Sequence, residues 1–510
     1  MFRSLARNIF ITGVAYSMVS LVGLLIAPFL IGLYGLSGYG QILLARMVLP
    51  SATFGFLDLG IGETATRAVA EATRSRDWQK AARTLTLLSA MALIVAGAVS
   101  VLVLAIAGSL PKWLAIAPSQ HAGFTQVMIL TAALEPLLFL SMVAEGVLKG
   151  FERFKRVRTC EVASALTYGG GAVVLGQLGF GPNWIAVALL TGLTLRFVMA
   201  GWSAVVVLRR KGVTFMRPCP DTRVEVFTWS KLMFFNKVLG TGQTQVAPAL
   251  IGILIGPAAV GSFDAVVRLP RFAKSIFGLL STTVLPLATG LKARADHESL
   301  RRLGNYGTLT ALLITMPPLI FGMAYSRSIM HFWIGEKAID FWGWQSAMFI
   351  VPILGTAIGF GGSILLADRT ASQALLKLTS WQVGLQLATS LALLTLLDQW
   401  AFVLGQVLSV VLLFPFQLAL MQRSLDLGSR LTRQFVALLL LCGVCAMTLR
   451  LLIPEPSAIA MTLMGLCFVI AISALAVPLV LTRSERLEFM AKLAAALRTR
   501  RASKSLGSEA

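Results

Sequence analysis

Apolar runs of roughly 20 residues, the length an α-helix needs to cross a bilayer, recur along the whole chain with short polar or charged segments between them. The spans read from this pattern are 8–33, 40–62, 85–107, 125–146, 163–178, 184–208, 229–256, 260–290, 306–325, 341–367, 378–397, 400–421, 435–452 and 459–481. The predicted fold class is therefore all-α integral membrane with about fourteen transmembrane helices, since a single segment satisfies its own backbone in lipid only as a helix. The even count puts both ends of the chain on one side. Arg3 and Arg7 precede the first run with no small-residue cleavage site in that polar flank, which predicts a retained signal anchor.

Charge tests this partition independently, because cytoplasmic loops collect Lys and Arg. With the N-terminus inside, most of the 44 basic residues fall in alternate, inside segments. Only Lys112, Arg327, Lys337 and Arg450 fall to the outside, and the others lie within spans. A missed early span would scramble that alternation. Composition agrees, with 57% hydrophobic and 13% charged residues and a mean hydropathy of +0.81, so lipid is the solvent for most of the chain. The net charge of +22 needs no nucleic-acid partner, since its bases sit in short loops such as 149–158 and in a basic tail, where they orient helices and touch anionic membrane lipids.

Six bases lie well inside spans: Arg46, Arg196, Lys237, Arg268, Arg271 and Lys274. Each costs about 2.5–3.5 kcal/mol at mid-membrane if it faces lipid, so they must face water or a partner. Asp264, Arg268, Arg271 and Ser275 recur at helical spacing and share one face, with Lys274 near its edge. Lys237, Thr241, Gln245 and Pro248 form a second stripe, beside Gly240 and Gly242, where the helix is expected to bend or unwind. Acidic residues at comparable depth are fewer: Glu135, Asp264 and, nearer the cytoplasmic end of its span, Asp58. Pairing, as of Asp264 with Arg268 one turn away, is the simpler explanation for any one base, but one Asp cannot neutralise two Arg and a Lys. A cationic cavity holding Arg196, Lys237, Arg268 and Arg271, with Arg46 and Lys274 as further candidates, points to an anionic cargo, and guanidinium suits phosphate in particular. Glu135, Asp58 and Asp264 are the candidates for coupling to an ion.

The rest of the inventory excludes other chemistry. Three scattered histidines and no Cys/His cluster argue against a metal site. No Walker sequence or nucleotide-binding glycine fingerprint occurs, so no cofactor is expected. Cys442 and Cys445 fall in an apolar run and read as packing. The small-residue spacing Gly355 to Gly359 predicts close helix contact. Glu336 and Asp340, four apart, are a candidate catalytic pair for a membrane enzyme such as a polymerase or ligase, but in a polar loop the simpler reading is a pair of solvated carboxylates.

A faint repeat relates Gly35 and Gly40 to Gly256 and Gly261, each pair followed by an Arg (Arg46, Arg268) and a Pro (Pro50, Pro270). Repeated halves with the path between them are common in transporters. The stretches PFLIGLYGLSGYG (28–40), FLDLGIGETATR (56–67) and IGPAAVGSFDAVVRLPR (255–271) resemble polysaccharide exporters of the Wzx and RfbX type, within the multidrug/oligosaccharidyl-lipid/polysaccharide exporter superfamily. The resemblance implies two six-helix lobes around a central cavity, here 1–222 and 223–430, two extra helices in 431–481 and a basic cytoplasmic tail, 482–510. It further implies a transporter, not an enzyme, in the bacterial inner membrane with both termini cytoplasmic. Such a protein moves lipid-linked oligosaccharide by alternating access, alongside polysaccharide polymerase and chain-length partners. A lipid II flippase and a multidrug cation exporter of the same superfamily are the alternatives, the latter disfavoured by the excess of bases.

Overall fold

The computed structural model describes residues 2–49, 59–214, 216–282, 284, 288, 291–292, 296–366 and 368–480. Asp58 and the tail 482–510 lie outside the described residues, as does the side chain of Lys237. The principal helices are α1 (Phe2–Met47), α2 (Ile61–Ser75), α3 (Trp78–Ile106), α4 (His121–Gly150), α5 (Phe154–Gln177), α6 (Pro182–Arg210), α7 (Pro220–Thr244), α8 (Val246–Leu254), α9 (Pro257–Thr282), α10 (His297–Ala324), α11 (Ser326–Ile334), α12 (Trp342–Met348), α13 (Ile350–Leu365), α14 (Arg369–Ala392), α15 (Trp400–Leu425), α16 (Arg430–Leu452) and α17 (Ala458–Val480).

Every predicted span meets helix, and no strand occurs among the described residues. Nine of the described helices are long and apolar enough to cross a membrane. Those that fall short include α5, α7, α9 and α14, which carry much of the polar and charged sequence. The fold class is thus an all-α, multi-pass membrane protein. Helices are interrupted where the sequence supplies the means. Gly35 takes φ 67° and ψ −177° inside α1, a conformation that costs glycine little. Gly240 and Gly242 lie inside α7, and Gln245 separates α7 from α8.

The chain forms two compact units, the first made of residues 1–272, 333–341 and 379–406, the second of 273–332, 342–378 and 407–510. In the first, α5 packs on α6 and on α1, and α4 packs on α2, α3 and α6. Its core includes Ile26, Leu30, Ile31, Tyr39, Ile42 and Tyr168. In the second, α10 lies against α13, α16 and α17. Phe321 stacks on Tyr325 with centroids 4.7 Å apart and meets Phe468 at 5.6 Å. At Gly355, one end of the small-residue spacing, a Cβ would meet open space, while Gly361 on the same helix lies against the Met421 thioether. Helical phase decides which glycine meets a neighbour, and spacing alone does not reveal it.

Candidate functional site

The first unit brings α1 and α9 together at the repeated glycines. A Cβ on Gly40 would fall on the Pro257 carbonyl, and a Cβ on Gly261 would fall on the Leu36 carbonyl. Leu36 follows Gly35 as Pro257 follows Gly256, so the contact is reciprocal, as a two-fold relation between repeats requires. Gly35 and Gly256 both have positive φ. Backbone meets backbone here because neither glycine has a side chain to hold the helices apart.

That approach places Tyr39, next to Gly40, against α9. Its hydroxyl donates to Asp264 Oδ2 at 2.6 Å. Arg268, one turn on, donates to the same oxygen from Nε at 2.7 Å, and its Nη2 lies 2.7 Å from that oxygen in the ion pair. Its Nη1 donates to the Gly23 carbonyl of α1 at 2.6 Å, and the guanidinium lies 5.6 Å from the Tyr39 ring centroid. Arg268 is therefore held from three directions in a pocket that leaves 16% of its side chain exposed.

Prolines supply some of the acceptors. Pro248 has no N–H to give the Thr244 carbonyl four residues back, and that carbonyl accepts from Arg271 Nη2 at 3.4 Å. Pro28 frees the Leu24 carbonyl in the same way, and Trp333 Nε1 donates to it at 3.0 Å. Arg271 also lies 5.7 Å from the Phe263 ring centroid. Its distinction from Arg268 is that it forms no ion pair with any carboxylate among the described residues. Arg46 and Arg268 both lie within electrostatic reach of the buried Tyr168, which draws Arg46 toward the same cluster.

Arg196 stands apart in a second cluster. It binds Glu145 of α4 bidentately, at 2.5 Å and 2.9 Å, and approaches Glu161 of α5 at 3.5 Å. Arg158 pairs with Glu161 at 2.5 Å and Lys149 with Glu145 at 3.7 Å. Five charges thus tie α4, α5 and α6 together. Glu135 is fully buried on α4, and neither of its oxygens has a hydrogen-bond partner among the described residues. Lys274 is exposed and belongs to the second unit. Glu336 and Asp340 are both exposed.

The cluster therefore unites Asp264, Arg268 and Arg271, with Arg46 nearby, and does not include Arg196. Reading the sequence missed Tyr39, Glu145 and Glu161. A carboxylate in the last turn of an apolar run was the available signal for Glu145; for Tyr39 it was the neighbouring repeat glycine.

Comparison with known proteins gives three findings. Residues 5–291 match the family profile described as polysaccharide biosynthesis protein. A putative O-antigen transporter of Shigella flexneri is 20% identical over 236 residues, which cover 46% of this chain and 55% of that protein, so the match spans about half of the relative's length. Among solved structures, lipid II flippase MurJ in an inward-closed conformation superposes with a TM-score of 0.69 at 12% identity, over 91% of this chain and 97% of that one. An inward-facing multidrug-resistance MATE transporter of the MOP superfamily gives a TM-score of 0.62 at 15% identity, covering 82% and 95%. At these identities the two structures establish a shared fold.

Proposed function

This chain belongs to the polysaccharide biosynthesis protein family, and on that premise we propose that it flips lipid-linked oligosaccharide, as undecaprenyl-pyrophosphate-linked repeat units, across the bacterial inner membrane by alternating access. The observation that carries this reading is Arg271. A guanidinium within a span, anchored by a helix-break carbonyl and an aromatic face and paired with no described carboxylate, is suited to a phosphate. Arg268, fixed by Asp264, Tyr39 and Gly23, forms the adjoining wall. The group Asp264, Arg268 and Arg271 keeps one net positive charge, which disfavours a cationic drug as cargo. Lys237 and Arg46 extend the same reading, as do lobes at 1–222 and 223–430, helices in 431–481 and cytoplasmic termini.

The name of the Shigella flexneri relative supports an O-antigen-type cargo, and polysaccharide polymerase and chain-length proteins are the partners that fit. Glu135, buried without a hydrogen-bond partner among the described residues, is the group best placed to take up a coupling proton. Arg196 contributes to this reading as part of the scaffold beside the site.

The experiment is export in cells lacking the native gene. An Arg271→Gln chain, present at normal abundance in the membrane, should abolish surface polysaccharide, and the Arg268→Gln, Arg271→Gln double variant should do the same. Undiminished surface polysaccharide with either variant overturns the proposal. If peptidoglycan synthesis fails instead, the cargo is lipid II.

A further inference from the structure

A shallow cavity of about 430 Å³ lies between the first part of α1 and the first half of α5. On α1 it is lined by Val14, Ala15 and Met18, on α5 by Lys155, Arg158, Thr159, Val162, Ala163 and Leu166. A neighbouring hollow of similar size shares Val14 and Met18 and continues to Leu21. The α5 residues recur every three or four positions and so occupy one face. Along that face the chemistry grades from cation through hydroxyl to hydrocarbon. Val14, Met18, Leu21 and Leu166 are each 45–53% exposed.

Three features indicate what fills it. From Lys155 to Leu166 the helix rises roughly 16 Å at about 1.5 Å per residue, close to the roughly 15 Å hydrocarbon depth of one leaflet. The cationic end coincides with the N-terminus of α5, where the helix dipole adds positive potential. Lys155 is exposed and in no described ion pair, while Arg158, which spends Nη1 on Glu161, lines the same end of the groove. A molecule with a phosphate at one end and a single-leaflet chain at the other matches this groove in charge and in length.

The geometry points to a binding site for an anionic phospholipid of the leaflet beside Lys155, with its phosphate at Lys155 and Arg158 and an acyl chain along Val162, Ala163 and Leu166. This site is separate from the Arg268 and Arg271 cluster and does not depend on what the protein exports. A bound lipid there would bridge α1 to α5, two helices the fold already packs together.

The test uses the full chain in detergent, titrated with phosphatidylglycerol, phosphatidylcholine or undecaprenyl phosphate and read by native mass spectrometry. Phosphatidylglycerol should be retained in preference to phosphatidylcholine. Lys155→Gln should weaken that retention about five-fold, the effect of one basic residue near a membrane surface. Ala163→Phe, which fills the apolar half, should abolish it. Should the Phe variant fail to fold, the exposed Lys155→Gln change decides alone. Equal retention of the two phospholipids, or phosphatidylglycerol retention unchanged by Lys155→Gln, overturns the site. Undecaprenyl phosphate outcompeting phosphatidylglycerol would also overturn it, assigning the groove to cargo.

Discussion

Gly40 and Gly261 each leave room for a backbone carbonyl of the other's helix, Pro257 for the first and Leu36 for the second. The pairing turns a weak repeat in the sequence into a physical joint, and the polar cluster hangs from it. Tyr39 reaches Asp264 only because the chains approach at the residue beside it.

Gly40→Ala and Gly261→Ala should each destabilise the protein by about 1–3 kcal/mol, the usual cost of forcing atoms into a packed contact. Gly355→Ala is the control, since that helical glycine faces open space and alanine favours helix by up to about 1 kcal/mol. Thermal unfolding in detergent should show lowered midpoints for the first two and an unchanged or raised midpoint for the third. Equal behaviour of all three would remove the joint.

Arg268→Gln and Arg271→Gln should separate structure from transport. The first strands Asp264 inside the unit, and breaking a buried pair costs about 3–5 kcal/mol, so stability should fall and partly recover when Asp264→Asn is added. The second breaks no ion pair among the described residues and should leave the unfolding midpoint within about 2 °C of the parent, given a change of about 0.5 kcal/mol or less. Matching losses of stability in the two single variants would count against the division of roles.

The Arg196 and Glu145 pair should behave as scaffold. Glu145 is buried, so Glu145→Gln and Arg196→Met should each lower stability by about 3 kcal/mol, with the double variant less unstable than their sum. Unfolding free energies in a double-mutant cycle provide the measurement, and strict additivity would deny the contact.

Asp368 pairs with Lys292 and caps α14, accepting from the backbone N–H groups of Thr370 and Ala371. The Lys292 ammonium first, then the Thr370 hydroxyl and the Ala371 N–H, hold its carboxyl well below the usual carboxylate range. A depressed value in the folded state means stabilisation that is present above the ordinary carboxylate value of about 3.9 and lost as pH falls through the folded value. Asp368→Asn should therefore melt below the parent at pH 7, with the gap closing once pH drops below about 4. The side chain is 39% exposed, so the effect should be modest, and a gap independent of pH would place its origin elsewhere.

Much of this was legible in the residues themselves. Each apolar run meets helix, because in lipid the length and composition of one segment fix its structure without help from neighbours, whereas α11 and most of α2 lie outside those runs. The four-residue step from Asp264 to Arg268 gave their ion pair for the same local reason. Pro248 marked the interruption at Gln245, because its missing N–H leaves the Thr244 carbonyl without an intrahelical donor. Arg196 was different, since spacing showed a base in a span but not Glu145 on another helix 51 residues away.

By itself, then, the sequence determined an all-helical membrane chain and the presence of more cations than lipid tolerates, since each of these is a property of one segment and its solvent. Only the tertiary structure decided which cation keeps a carboxylate. Pairing between helices depends on how closely their backbones approach, and that distance is set by contacts such as Gly40 on Pro257, which no single segment contains.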